Sequence, residues 1–303
     1  MVPKHMIRFL FAAALALASF AAAAQNNYLW EISSLSNRIY LYGTVHAGKK
    51  DWFPLPTAVE QAFDDSQILV VEADILDAEK MGASGKLMSY APPDELKNHV
   101  PEADWERFRK ILPRYRIPEQ TVAQMKPFMA VSLLVFSEWA RLGFMPELSV
   151  DAYLLRKARA EFKPVVEIEG VAVQARLIES LTEDENRALF AGTLSALESG
   201  LTGDQINGMV GAWQRGDAAR LLTVAQKYNE GVEGAAAFEE KFVWARHAPM
   251  IAKIEGYLDS QERHFVAVGA LHLAGPRGLV ELLRKRGYIV RQPMAAPPGT
   301  GSK

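Results

Sequence analysis

The sequence contains no cysteine. That absence removes disulfides, thiolate zinc sites, a thiol nucleophile and a lipid-anchoring cysteine together. An excess of either charge is also missing. The 34 basic and 36 acidic residues give a formal net charge of −2, with a pI near 6.3. This near-balance argues against nucleic acid or an anionic membrane as the main partner. No Gly-x-Ser-x-Gly elbow, dinucleotide Gly-x-Gly-x-x-Gly turn or Walker loop occurs, which leaves out the common hydrolase and nucleotide-binding signatures. Beyond the first residues, no apolar run approaches the roughly 20 residues of a spanning helix. What remains is an ordinary globular composition: 303 residues, 49% apolar and 23% charged, ample for one sizeable core.

Residues 1–24 read as an address. Lys4 and Arg8 form a positive start, the apolar stretch from Phe9 follows, and Ala22 and Ala24 fit an A-x-A cleavage site. The stretch Phe9–Ala24 is too short to serve as a membrane anchor. The expectation is a cleaved leader, a mature chain from Gln25, and export to a bacterial periplasm without a stable membrane anchor.

The pattern of the mature chain predicts a mixed α/β fold. Tyr28–Ile32 and Arg38–Tyr42, separated by the turn-formers Ser33–Asn37, predict a hairpin. Thr57–Phe63 reads as helix, and Ile68–Glu72 as a buried strand ending in a carboxylate. Residues 76–260 are mostly helical by period, including Asp94–Ile111, Val122–Leu142 and Asp151–Ala160, with Asp151 expected to cap its helix. Within them Val165–Ile168 reads as a further strand, and Gly231–Ala237 as a loop between helices. Phe265–Val268 is a strand, Gly278–Arg286 a helix with Pro276 in its first turn, and Tyr288–Val290 a last strand. Residues 293–303 form a Pro-, Gly- and Ala-rich tail expected to be disordered, leaving 25–292 as one domain.

One internal echo organises this reading. The order strand, Gly-x-x-His, helix, strand occurs twice, at 38–72 and at 265–290. Two such units in one sheet, with the helical segment as a large insertion, bring His46 and His272 together. Side chains at carboxyl ends of parallel strands face a crevice, and the glycine lets the backbone turn tightly. With Glu72, the two imidazoles form a plausible shell for a divalent ion of zinc, manganese, cobalt or iron type. The alternative is that these histidines are hydrogen-bonded structure, because Gly-x-x-His is not a specific motif. His99 and His264 read as structural or solvated; His247 is open between the two readings.

Several of these residues resemble the TraB/GumN proteins, the group that includes the animal TIKI metalloproteases. The likeness lies in Leu29-Trp30-Glu31-Ile32, Ile39–Leu41, Gly43-Thr44-Val45-His46, Val70-Val71-Glu72 and Asp151–Glu169, and most strongly in Val266–Tyr288. It covers most of residues 28–291. The resemblance implies a mixed sheet with a helical cover, akin to erythromycin-esterase and ChaN-like proteins. It also implies metal-dependent peptide hydrolysis by both Gly-x-x-His motifs, a glutamate and an arginine. Carried onto this chain, these are His46, His272, Glu72 and Arg246, with a manganese, cobalt or zinc ion as cofactor and a peptide or protein as substrate. Glu72 is then either third ligand or general base. Glu169 is either the base in its place or a buried carboxylate paired with a basic neighbour. Relatives place Asn after that arginine, where this chain has His247. The rival reading from the same likeness is a periplasmic haem- or ligand-binding protein without turnover.

Overall fold

The computed structural model describes residues 27–230, 232 and 234–293. The expected leader at 1–24, the mature start at Gln25 and the tail after Pro293 lie outside the described residues. Branched and aromatic residues build β1 (Leu29–Ser33) and β2 (Arg38–Thr44), paired antiparallel from Leu29↔Tyr42 to Ser33↔Arg38. The turn between them closes where the Ser34 N–H donates to the Asn37 carbonyl and the Asn37 N–H to Ser34 Oγ. After α1 (Thr57–Asp65) comes β3 (Ile68–Val71).

The chain then runs through α2 (Ala78–Gly85), α3 (Glu102–Ile111), α4 (Glu119–Val122), α5 (Pro127–Arg141) and α6 (Val150–Ala160) to the short β4 (Val165–Glu167). From there α7 (Val171–Glu179), α8 (Glu183–Glu198), α9 (Leu201–Gln214), α10 (Ala218–Asn229), α11 (Ala235–Phe242) and α12 (His247–Asp259) lead to β5 (His264–Gly269). The chain ends in α13 (Leu279–Lys285) and β6 (Ile289–Arg291).

The strands form one sheet in the order β4-β3-β5-β2-β1-β6. β4, β3, β5 and β2 pair in parallel, while β1 runs antiparallel to both β2 and β6. Every residue of β5 is buried, as a central strand covered on both faces requires. Its core neighbours include Phe63 of α1, Leu155 of α6, Ile254 of α12 and Leu283 of α13. A separate cluster fills the helical part, with Phe108 of α3, Leu134 of α5 and Phe190 and Leu194 of α8 all fully buried. Each such side chain contributes on the order of 1.5–3 kcal/mol through burial. Among the described residues, no helix is long and apolar enough to cross a membrane.

The mixed α/β architecture agrees with the sequence pattern, and the differences lie at helix ends. Between Asp94 and Glu102 the only helical turn is a 3-10 one at Leu96–Asn98, and α3 begins after Pro101, which supplies the extended cap and offers no N–H to a helix interior. The expected Val122–Leu142 helix is divided for the same reason: Pro127 occupies the first turn of α5. Pro276 stands outside α13, whose cap is Gly278, and α11 begins at Ala235, inside the expected loop. Ser149, not Asp151, caps α6, its hydroxyl accepting from the Ala152 N–H at 3.2 Å.

The helical core also encloses a carboxylate that the apolar pattern of α5 conceals. Glu138 is 2% exposed and accepts from Arg141 at 2.6 and 2.8 Å and from the Tyr115 hydroxyl at 2.9 Å. The Arg141 hydrogen bonds outweigh burial and hold its pKa below the ordinary carboxylate value. A carboxylate lowered in the folded state stabilises the fold above its unfolded pKa, and that contribution vanishes as pH falls through the folded value. Because Arg141 and the second partner, Arg114 at 3.3 Å, are both partly solvated, Glu138→Gln should cost about 1–2 kcal/mol at neutral pH. In urea melts, the gap from wild type should close below about pH 4.

Candidate active site

The register of β2 against β5 sets the position of the two Gly-x-x-His segments. Gly43 faces Val268 and Thr44 faces Gly269, so the parallel strands end side by side. His46 leaves the end of β2, and His272 lies in the 3-10 turn Ala270–Leu273 that follows β5. Glu72 is the residue after β3, the other parallel neighbour of β5. Glu169 follows β4 by two positions. All four therefore project from carboxyl ends of parallel strands, where an open sheet forms its crevice.

Gly269 shows how tightly the groups converge. A Cβ there would stand 3.2 Å from Glu72 Oε1, 3.6 Å from His272 Cδ2 and 3.7 Å from His46 Nε2. Its backbone, at φ −51° and ψ 135°, is open to any residue. The glycine answers a demand for space rather than for an unusual turn. Gly43 likewise has the Tyr28 ring where a side chain would begin.

Arg246 enters from the far end of the helical segment, immediately before α12. Its guanidinium pairs with Glu72 Oε2 and with both oxygens of Glu169, by Nε at 2.9 Å to Oε1 and by Nη2 to Oε2. Nη1 also donates to His272 Nε2 at 3.0 Å and to the Phe242 carbonyl at 2.8 Å. Glu72 receives the Gly269 N–H at 2.6 Å and the Gln174 amide at 3.1 Å. Burial alone would raise the Glu72 pKa, but the Arg246 guanidinium and the Gly269 N–H hold it below the ordinary range. Burial pushes His272 down to about 3, so this imidazole is neutral at physiological pH. With His272 neutral, two ionised carboxylates face one guanidinium, and the buried cluster keeps a net negative charge.

His46 sits in a different setting. Its side chain is 63% exposed, and Nδ1 lies 3.0 Å from Asp151 Oδ2. Asp151 is fixed in turn by the Thr44 hydroxyl at 2.7 Å. Burial works against the charged imidazole, but solvent reaches most of this ring, so the Asp151 carboxylate sets the direction and the pKa is raised. Once the ring is neutral, an Nδ1–H donated to Asp151 leaves the Nε2 lone pair for the crevice. The hollow is about 200 Å³ and is lined by His46, Glu72, Asp151, Gln174, Phe128 and Arg246 among others.

The structure thus gathers His46, Glu72, Arg246 and His272, with Glu169 beside them. His247, left open by the sequence, is here too: its Nε2 lies 2.9 Å from His272 Nδ1. His99 and His264 stand elsewhere, stacked on Tyr90 and Tyr257. Asp151 had been assigned to a helix cap, and Gln174 carried no signal beyond its place on an amphipathic helix. Among the described residues no three His, Asp or Glu side chains are already disposed as a metal cage. Arg246 is hydrogen-bonded to both Glu72 and His272.

A model of the TraB/PrgY/gumN family matches residues 28–292, a span that contains every residue of this cluster. The chain belongs to that family. Among its relatives, the uncharacterized protein YbaP of Escherichia coli K12 is 26% identical over 271 residues, covering 88% of this chain and 96% of YbaP. Metalloprotease TIKI1 of Danio rerio is 23% identical, over 90% of this chain but 64% of TIKI1. The metalloprotease TIKI homolog of Amphimedon queenslandica is 26% identical, over 89% of this chain and 62% of its own length. The chain therefore spans somewhat under two thirds of these TraB-family metalloproteases. No solved structure matches.

The Asp151–His46 pair can be tested without a substrate. In an NMR titration of the metal-free protein, His46 should titrate above the usual value near 6.5. Asp151→Asn, which removes the charge and keeps the shape, should lower that midpoint by about one unit or more. An unchanged midpoint would refute the assigned cause.

Proposed function

We propose that this protein is a metal-dependent hydrolase acting on peptide bonds, with His46, His272 and Glu72 holding one divalent cation. The observation that carries the reading is the convergence of those three groups over Gly269, inside a cluster of net negative charge. The donor set fits manganese, cobalt or zinc: two imidazole nitrogens and a carboxylate oxygen. The guanidinium of Arg246 now meets Glu72 through its other oxygen, Oε2, and His272 through Nε2, so a cation already occupies the space between them. Its shift towards Glu169, which it also binds, would free both donors. Such an ion supplies a Lewis acid and a water acidified towards neutrality.

The protein's own groups divide the remaining work. Asp151 orients His46, and Gln174 together with the Gly269 N–H orients Glu72. Arg246 stays charged beside the crevice and stabilises negative charge developing on the scissile carbonyl, a role commonly worth a few kcal/mol. Glu72, as a ligand, is not free to move a proton. Glu169 is bound through both oxygens by Arg246 and buried, so it serves as the anchor of that arginine. Phe128 and Phe242 give the crevice an apolar wall, and Phe128 continues into an apolar cavity of about 300 Å³ that suits a hydrophobic substrate side chain. The haem-binding alternative finds no support in a crevice of about 200 Å³, below the roughly 300–1,000 Å³ that encloses a drug-sized ligand. The names of the TIKI relatives point to the same class of reaction.

Purified protein with added manganese, cobalt or zinc should cleave members of a peptide library. A chelator should abolish cleavage and re-added metal restore it. His46→Ala, His272→Ala and Glu72→Gln should each lose at least about 100-fold in kcat/KM while keeping the wild-type circular dichroism, a loss of about 2.7 kcal/mol in transition-state stabilisation. Full activity in any one of them, or indifference to chelator, would reject the proposal. We further infer from Lys4, Arg8 and Ala22–Ala24 that the chain is exported. Mass spectrometry of the periplasmic fraction of an expressing bacterium should find an N-terminus at Gln25. A cytoplasmic chain that retains residues 1–24 refutes the leader.

A further inference from the structure

We propose that His247 is a positioning residue: it locks His272 in its Nδ1–H tautomer, so that the Nε2 lone pair is directed at the centre of the site. The inference rests on the metal-site reading for its purpose but not for its geometry. His247 and His272 are 3% and 5% exposed, so bulk solvent does not reach either ring to satisfy a wrongly placed proton. Three short contacts form a chain. Arg246 Nη1 lies 3.0 Å from His272 Nε2, His272 Nδ1 lies 2.9 Å from His247 Nε2, and His247 Nδ1 lies 2.7 Å from the Arg277 carbonyl.

Both ends of this chain admit one proton arrangement. A carbonyl only accepts, so His247 must carry its proton on Nδ1, and its Nε2 is then an acceptor. His272 must therefore donate from Nδ1, which leaves Nε2 bare. Starting from the other end gives the same result: a guanidinium only donates, so His272 Nε2 must accept. The two termini are independent and agree. Burial favours the neutral form of both rings, in keeping with one proton on each.

The lock extends beyond side chains. His247 opens α12, and its carbonyl partner lies in the loop before α13, so the position of Nε2 on His247 is set by two elements of the main core. His46 has a carboxylate for the same task, Asp151. A second carboxylate beside His272 would add negative charge to a pocket already holding Glu72 and Glu169, whereas a neutral imidazole orients the ring without charge. Outer partners of this kind commonly matter 10- to 100-fold for metal affinity.

The test uses the full mature chain labelled with ¹⁵N-histidine. Long-range ¹H–¹⁵N spectra of the metal-free protein should show His247 and His272 both protonated on Nδ1 alone. His247→Gln keeps an acceptor for the His272 proton; His247→Leu keeps volume and removes it. The glutamine variant should preserve the His272 tautomer and hold cobalt affinity, measured by calorimetry, within a few-fold. The leucine variant should give mixed His272 tautomers and bind cobalt about 10- to 100-fold more weakly. His272 protonated on Nε2 in the wild type overturns the proposal, as does a leucine variant with unchanged tautomer and cobalt affinity. If the leucine variant does not fold, the wild-type spectrum and the glutamine variant still decide. A wild type with the expected tautomers that binds no cobalt upholds the lock and refutes the metal reading instead.

Discussion

Parallel pairing of β2 with β5 is the constraint on which the site depends. Residues from opposite ends of the sequence reach the same edge of the sheet only because Thr44 and Gly269 stand in register. With side chains alternating along a strand, a slip of one residue would turn Gly269 away and present Val268 instead. The space now filled by Glu72 Oε1 would then meet a branched side chain. The glycines at the two strand ends are therefore selected by packing: Tyr28 presses on one and the Glu72 carboxylate on the other. Strand register and site geometry are one requirement, imposed by the core that buries β5 on both faces.

The second constraint is electrostatic. Placing Glu72 and Glu169 together in a buried position would be unfavourable without a cation, since like charges in low dielectric raise each other's pKa. Arg246 resolves this, and its planar fork serves both carboxylates at once. Its arrival from the helical segment explains why the fold needs that segment attached to the sheet rather than tethered beside it. The arrangement is not neutral, however. One negative charge remains beside the His272 imidazole, whose Nε2 lone pair now accepts from Arg246. The arginine offsets part of that charge, and on the metal-site proposal a dication would offset the rest.

How much of this was legible in the sequence depended on the range of the interaction. Local signals held well. The turn-formers between β1 and β2 and the buried run of β3 both appear where the pattern put them. The doubled Gly-x-x-His pattern pointed to His46 and His272, because an internal repeat carries long-range information in local form. Helix ends were misjudged where a proline sat inside an apolar period, as at Pro101 and Pro127. Asp151 was misassigned for a related reason: a carboxylate near a helix start satisfies the rule for a cap, yet Ser149 holds that position and frees Asp151 for Thr44 and His46. Gln174 and His247 have no local signature at all. Their roles come from contacts across 102 and 25 positions of sequence, and such contacts exist only once the chain is folded.

The two histidines also differ in a way that bears on how the site works. His272 is buried, neutral and held from both nitrogens, whereas His46 is open to solvent and raised in pKa by Asp151. The first is a fixed donor at every physiological pH. The second must shed a proton before its Nε2 lone pair is available, so on the metal-site proposal binding would weaken at low pH through His46. The site therefore has a closed side, with Arg246 and the doubly held imidazole, and an open side, with His46 and the aromatic wall of Phe128 and Phe242. A site with two buried histidines would be rigid and shut, and one with two exposed histidines would lose its geometry to solvent. The sheet achieves both properties by ending β2 in the crevice and β5 beneath a 3-10 turn.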